Sequence, residues 1–263
     1  MDASLRDGRK AVPPSLEGAL DRRPGRLDAL LVERGLAEDL KQAAALVLAG
    51  QVLSGDTLLQ KPGDKVDPAA PLRVRGRKAF ASRAGAKLEA GLMAAGLDVA
   101  GLACLDLGAS TGGFTDCLLR RGAASVMAVE KGHGQLAWAL SRDPRVDSRE
   151  RCDALELRPE DLAAAPGLIC ADLSFTSCKP FFPVIRRLLA PGGAWMVLVK
   201  PQFEASAGEV GAGGVVRDLG VRQRALEGAR QAAHAAGLAP QGHLESPVAG
   251  AKGNREWLLW GRG

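Results

Sequence analysis

Four short apolar runs constrain the fold more than any other feature of the sequence: Ala103 to Leu107, Ser125 to Glu130, Leu168 to Asp172 and Ala194 to Lys200. They are near-continuous rather than alternating, which predicts strands of a parallel sheet buried on both faces. Helical stretches lie between them, such as Cys178 to Leu189, which ends before Pro191-Gly192-Gly193. A long helix over Val221 to Ala236 precedes two more strand candidates, Gly242 to Leu244 and Arg255 to Trp260. This order predicts an α/β, doubly wound, Rossmann-like sheet with an antiparallel end strand, whose ligand sits over the carboxyl ends of the strands.

The first run leads into a loop with glycines at 108, 112 and 113 and then an amphipathic helix. The spacing is not that of a dinucleotide fingerprint, because Ser110 or Phe114 stands where a second glycine is needed, and no Lys-Ser/Thr pair follows Gly113 as in a phosphate loop. No positive side chain lies between Asp106 and Leu119. A polyphosphate is therefore disfavoured, although the helix N-terminus favours a single carboxylate. The ligand this loop predicts is cationic or neutral at its centre, with an anionic tip. The second run ends in Glu130, which is either a surface acid or the acceptor for two ribose hydroxyls. An adenosine without phosphates, a central cation and an amino-acid tip together describe S-adenosylmethionine. Asp106, Gly108, Ser110, Gly112, Gly113, Phe114 and Glu130 are the candidate cofactor residues, and Asp153 is a candidate neighbour of the adenine amino group.

The chain of 263 residues allows one large domain, or a large and a small one, and its net charge of +5 hints at an anionic partner. Five cysteines without a C-x-x-C pair fit buried thiols in a reducing cytoplasm, and three histidines without metal-ligand spacing predict no metal. There is no apolar run long enough to span a membrane.

Residues 1–24 are polar and aperiodic, and are expected to form a disordered arm. Residues 25–76 have the pattern of two helices followed by short strands. Leu27, Leu30 and Leu31 share a face up to Gly35, and Asp39 with Gln42 can cap a second helix running to Gly50. From Pro68 to Leu88 there are six basic residues, Arg73, Arg75, Arg77, Lys78, Arg83 and Lys87, and no acid. Such a strip, joining two domains across a linker at 77–83, suits a phosphate backbone; the alternative is a solvated linker.

Arg26-Leu-Asp-x-x-Leu-Val-x-Arg-Gly-Leu-Ala, Ala45-Leu-Val-Leu-Ala-Gly-Gln-Val and Lys61-Pro-Gly resemble an S4-type RNA-binding domain, with Asp39-Leu40-Lys41 where a Ser-Arg pair is usual. Arg26 and Lys41 join the basic strip as candidate RNA contacts. Further on, Ser82-Arg-Ala-Gly-Ala-Lys-Leu88, Leu105-Asp-Leu-Gly-Ala-Ser-Thr-Gly-Gly-Phe-Thr-Asp116, Gly134-Gln-Leu-Ala-Trp138, Ala171-Asp-Leu-Ser-Phe175, Val199-Lys-Pro-Gln-Phe-Glu204, Gly213-Gly-Val-Val-Arg-Asp218 and Gly253-Asn-Arg-Glu-Trp257 resemble the TlyA (hemolysin A) family. Its members are ribosomal RNA ribose 2′-O-methyltransferases related to the FtsJ-like enzymes. The resemblance implies a Rossmann-like methyltransferase domain over 84–263, S-adenosylmethionine as cofactor, ribosomal RNA or ribosomal subunits as partner, and a Lys-Asp-Lys-Glu tetrad at Lys87, Asp172, Lys200 and Glu256. Ala84 replaces a usual glycine and Phe80 a common tyrosine; neither touches the tetrad.

That set makes chemical sense. A ribose hydroxyl is a poor nucleophile at neutral pH, and a lysine freed of its proton by desolvation or a second ammonium can take the hydroxyl proton while carboxylates fix the geometry. Lys200 is the expected base and Lys87 its orienter or charge partner. Gly208 to Gly214 is either a lid or a connecting loop, and Trp257 and Trp260 are expected in the core. The competing expectation, a non-enzymatic RNA-binding or membrane-active protein, is opposed by the absence of an apolar span and of tyrosine for interfacial anchoring.

Overall fold

The structure, a computed structural model, describes residues 24–34, 36, 37, 39–75 and 80–263. The expected arm lies almost entirely outside these residues, as do Gly35, Arg77 and Lys78. The chain divides into two compact units at residues 77/78.

In the smaller unit, β1 (Gly25–Arg26) leads into α1 (Leu27–Glu33), and α2 (Leu40–Leu48) is capped by Asp39, whose carboxylate accepts the Gln42 backbone N–H at 2.7 Å. The strands β2 (Val52–Ser54), β3 (Thr57–Leu58) and β5 (Leu72–Val74) form an antiparallel sheet in the order β3-β2-β5, and β4 (Lys65–Val66) pairs with β1. Leu27, Leu31, Ala43, Val47 and Val52 make the core between helices and sheet.

The larger unit begins with α3 (Arg83–Ala95) and builds one seven-stranded sheet. Its strands are β6 (Ala103–Leu107), β7 (Ser125–Glu130), β8 (Val146–Glu150), β9 (Leu168–Ala171), β10 (Ala194–Val199), β11 (Ala239–Glu245) and β12 (Trp257–Arg262), in the order β11-β12-β10-β9-β6-β7-β8. The four apolar runs are its adjacent central strands, and all four pair in parallel. Alternate residues serve opposite faces. Leu105, Leu107, Val197 and Val199 pack with Phe182 and Leu226, from α6 (Phe182–Leu188) and α8 (Leu219–Ala235). Cys104, Met196 and Leu198 pack on the other side with Leu88 and Leu92 of α3 and Leu118 of α4 (Gly113–Arg120).

Two features differ from expectation. The antiparallel strand is β12, but it lies between β10 and β11 rather than at the edge. The third strand in the β7 direction, β8, is a half-exposed edge strand of sequence Val-Asp-Ser-Arg-Glu, too polar to stand out as a run. Trp257 and Trp260 are partly buried on opposite faces of β12.

Trp195 fixes β10 within this frame. It is fully buried, stands edge-on to Phe182 at 5.5 Å, and donates its Nε1–H to the Arg262 carbonyl at 3.1 Å. Trp195→Phe removes ring volume and that hydrogen bond together, and should cost about 1–3 kcal/mol in urea unfolding with an unchanged m value.

Candidate active site

The chain order reverses between β6 and β9, and a cavity of about 250 Å³ opens over their carboxyl ends. Ser82, Arg83, Ala84, Lys87, Gly108 to Thr111, Phe114, Asp172 and Ser174 line it.

The loop after β6 is held in a strained course. Gly108 has φ +83°, and a side chain there would put its Cβ 2.8 Å from the Asp172 carbonyl oxygen, so only glycine lets the two strand ends approach this closely. Gly112, φ +89°, stands at the N-cap of α4 with no side-chain cap, leaving the first amides of that helix for a ligand. Ser110 takes a left-handed φ of +47° and donates its backbone N–H to Glu130 Oε2 at 2.9 Å. Glu130 Oε1 accepts the Gly132 N–H at 2.7 Å. Glu130 therefore braces the loop, and each oxygen retains a second lone pair for a hydroxyl. Gly113 packs against Ser82 and Ala84, so it shapes the contact between α3 and α4.

Asp106 and Asp153 do not line this cavity. Asp106 is fully buried beneath the loop, its Oδ2 accepting the Thr115 hydroxyl at 2.7 Å, and burial pushes its carboxyl up to about 7. Asp153 borders a separate, open cleft of about 1080 Å³ beside β8. There it accepts the Leu155 N–H and pairs with Lys131 at 2.8 Å, which holds its carboxyl below the usual carboxylate range.

The four tetrad residues meet at one end of the sheet as two ion pairs. Lys87 on α3 reaches Glu256, 169 residues away, with Nζ to Oε2 at 2.5 Å, and both side chains are buried. Gln202 of α7 (Pro201–Glu204) donates to the other Glu256 oxygen at 3.3 Å. A Cβ at Gly250 would stand 2.0 Å from Glu256 Oε1, so that backbone must be bare for the carboxylate to fit. Lys200, at the end of β10, lies 2.7 Å from Asp172 Oδ1 and donates to Ser174 Oγ at 2.9 Å. Lys87 and Asp172 both face the cavity beside Gly108.

Among the described residues, the candidate RNA contacts have different surroundings. Lys87 is buried in the tetrad. Arg83 is exposed on the cavity rim. In the smaller unit, the Arg26 guanidinium forks onto Asp28 at 2.6 and 3.0 Å, and Arg73 is tied to the Gly55 carbonyl and Asp56. Lys41 and Arg75 are exposed. Sequence reasoning quoted the motifs that hold Phe175, Gln202, Phe203 and Glu204 but assigned these residues no role; Phe175 is 92% exposed at φ +63° and its ring lies 5.7 Å from that of Phe203. The signal was present: each phenylalanine follows a tetrad residue, Asp172 or Lys200, by three positions.

Residues 80–263 match the family of FtsJ-like methyltransferases. The chain belongs to this family. Its curated relatives include the 16S/23S rRNA (cytidine-2′-O)-methyltransferase TlyA of Mycobacterium tuberculosis, 43% identical over 90% of both chains. Hemolysin A of Brachyspira hyodysenteriae is 38% identical over 89% of this chain and 98% of its own. A solved structure named "Putative hemolysin from Streptococcus thermophilus" is 37% identical and covers 92% of this chain and 89% of its own, with a TM-score of 0.69. This FtsJ-like methyltransferase thus falls in the TlyA/hemolysin A group, and its methyl donor is S-adenosylmethionine. The residues fit that donor: the loop carries no cation to repel a sulfonium, and the bare α4 N-terminus suits a carboxylate. Among the described residues no cluster could hold a metal ion, and no helix is long and apolar enough to cross a membrane.

Because Asp106 binds its proton more tightly folded than unfolded, its contribution to stability is complete below about pH 4 and is lost as pH rises through about 7. Melts from pH 4 to 8 should show the wild type falling relative to Asp106→Asn, by at most on the order of 4 kcal/mol, and no further above pH 8.

Proposed function

We propose that this methyltransferase modifies the ribose 2′-hydroxyl of a ribosomal RNA nucleotide, a cytidine, and that Lys87, Asp172, Lys200 and Glu256 form its catalytic tetrad. The observation that carries the reading is the pair of buried lysine–carboxylate contacts bordering the cavity at Gly108. A site that only bound RNA would gain little from burying three charges and half-burying a fourth, because the desolvation cost of a buried ion is several kcal/mol. The relatives' naming as cytidine-2′-O methyltransferases supports the same substrate.

S-adenosylmethionine supplies an electrophilic methyl carbon on its sulfonium. Lys200 is the general base: once its Nζ is free of a proton it accepts the 2′-hydroxyl proton as the oxygen bonds to the methyl carbon and the methyl–sulfur bond breaks, releasing a neutral thioether. Asp172 fixes the Lys200 side chain at 2.7 Å and Ser174 holds it from the other side. Lys87, clamped by Glu256, presents an ammonium that orients the hydroxyl. General-base assistance of this kind contributes about 10²- to 10⁴-fold, and alignment contributes more. Phe175, exposed on its Phe203 support, offers a stacking face for the base of the target nucleotide. The smaller unit, 25–76, serves as an S4-type RNA-binding domain through Arg26, Lys41, Arg73 and Arg75, continued by the linker at 77–83 and Arg83. An enzyme acting on ribosomal RNA works in the cytoplasm.

The test is transfer of tritium from labelled S-adenosylmethionine to ribosomal RNA. Label should resist alkali at the modified linkage, and Lys200→Ala should lower kcat by about 10²-fold or more while donor affinity stays within about twofold. Label on a base, or undiminished transfer by Lys200→Ala, would reject the assignment.

A further inference from the structure

Glu204 belongs to none of the groups used so far, yet its side chain is 1% exposed. A buried carboxylate is retained only where it is well satisfied. Its Oε1 accepts the Cys178 backbone N–H at 2.7 Å, and its Oε2 accepts the Ser177 hydroxyl at 2.7 Å and faces Lys179 Nζ at 3.4 Å. All three donors lie on the segment that follows β9, three to five residues beyond Ser174 and two to four beyond Phe175. Glu204 itself closes α7, four residues after Lys200.

Helix α7 thus touches the site at three points. Gln202 meets Glu256, Phe203 meets Phe175, and Glu204 meets the Ser177–Lys179 turn. Phe175 holds φ +63°, a conformation that costs a non-glycine residue on the order of 1 kcal/mol or more and persists only where the surroundings over-determine it. The Phe203 contact braces the ring from one side. The Glu204 hydrogen bonds fix the backbone that carries it.

We infer that Glu204 is a positioning residue: it clamps the turn after β9 to α7 and so sets Ser174 and Phe175 for the RNA nucleotide that enters the site. The inference rests on the proposed RNA-methylating function and deepens it by naming what holds the substrate platform. Glu204→Gln keeps the reach of the side chain but offers one acceptor oxygen where two are used, and turns an amide donor towards donors.

Two measurements on the full chain test it. In steady-state transfer to ribosomal RNA, Glu204→Gln should lower kcat/KM for RNA by about 10-fold or more, with donor affinity unchanged. On a Phe175→Ala background the same substitution should cost clearly less than on the wild-type background, because the part of its effect that passes through Phe175 is already gone. In amide hydrogen exchange, Glu204→Gln should raise exchange in the 174–178 segment while β10 and α3 keep their protection. Equal losses on both backgrounds, an RNA kcat/KM that does not move, or exchange that rises throughout the sheet each overturn the inference. If the wild type transfers no methyl to RNA, the functional reading fails by itself, and the hydrogen-exchange result still decides whether the clamp exists.

Discussion

The cost of removing a charge from water organises the cavity end of the sheet. Lys87 and Lys200 are both buried, and an unpaired ammonium in such surroundings is expensive enough that each must have a carboxylate in reach. That requirement ties α3 to the segment before β12 through Lys87 and Glu256, and the tip of β10 to the tip of β9 through Lys200 and Asp172. Gly108 and Gly250 make the arrangement possible by withholding side chains where the Asp172 carbonyl and the Glu256 carboxylate stand. The pairs are thus a structural requirement first, and become chemistry because they border a cavity.

The central sheet was legible because its signal is hydrophobic. Strands buried on both faces must be continuously apolar, and the runs at 103–107, 125–130, 168–172 and 194–200 have no other economical explanation. The edge strand Val146–Glu150 was not legible, since one flank faces water and its residues alternate with charge. Nor was the position of β12: sequence shows that a strand exists, but insertion between β10 and β11 is a matter of pairing across the sheet.

The site was legible in proportion to how much of it lies in the backbone. The glycine loop and Glu130 sit where strand ends dictate, and the tetrad was accessible through resemblance. Asp106 was expected beside the ligand but lies under the loop, because alternation along β6 turns it towards Thr115. Asp153 was expected at the adenine but borders another cleft, held by Lys131. Phe175 and Glu204 were quoted in motifs but given no role, because their meaning comes from what they touch and neither contact is between sequence neighbours. Basic residues gathered as RNA candidates differ in their surroundings, Lys87 being buried on Glu256 while Arg26 and Arg73 pair with aspartates, which composition alone does not reveal.

The long separation between Lys87 and Glu256 has a consequence for how the protein matures. A polypeptide that has formed α3 and the β6–β10 core but has not yet inserted β12 lacks the counter-ion for Lys87, so that lysine must remain hydrated. Burial of the Lys87–Glu256 pair therefore requires β12 in place. A half-built molecule has the glycine bend but not the enclosed pair of charges, so the Lys87–Glu256 pair and the completed sheet arrive together.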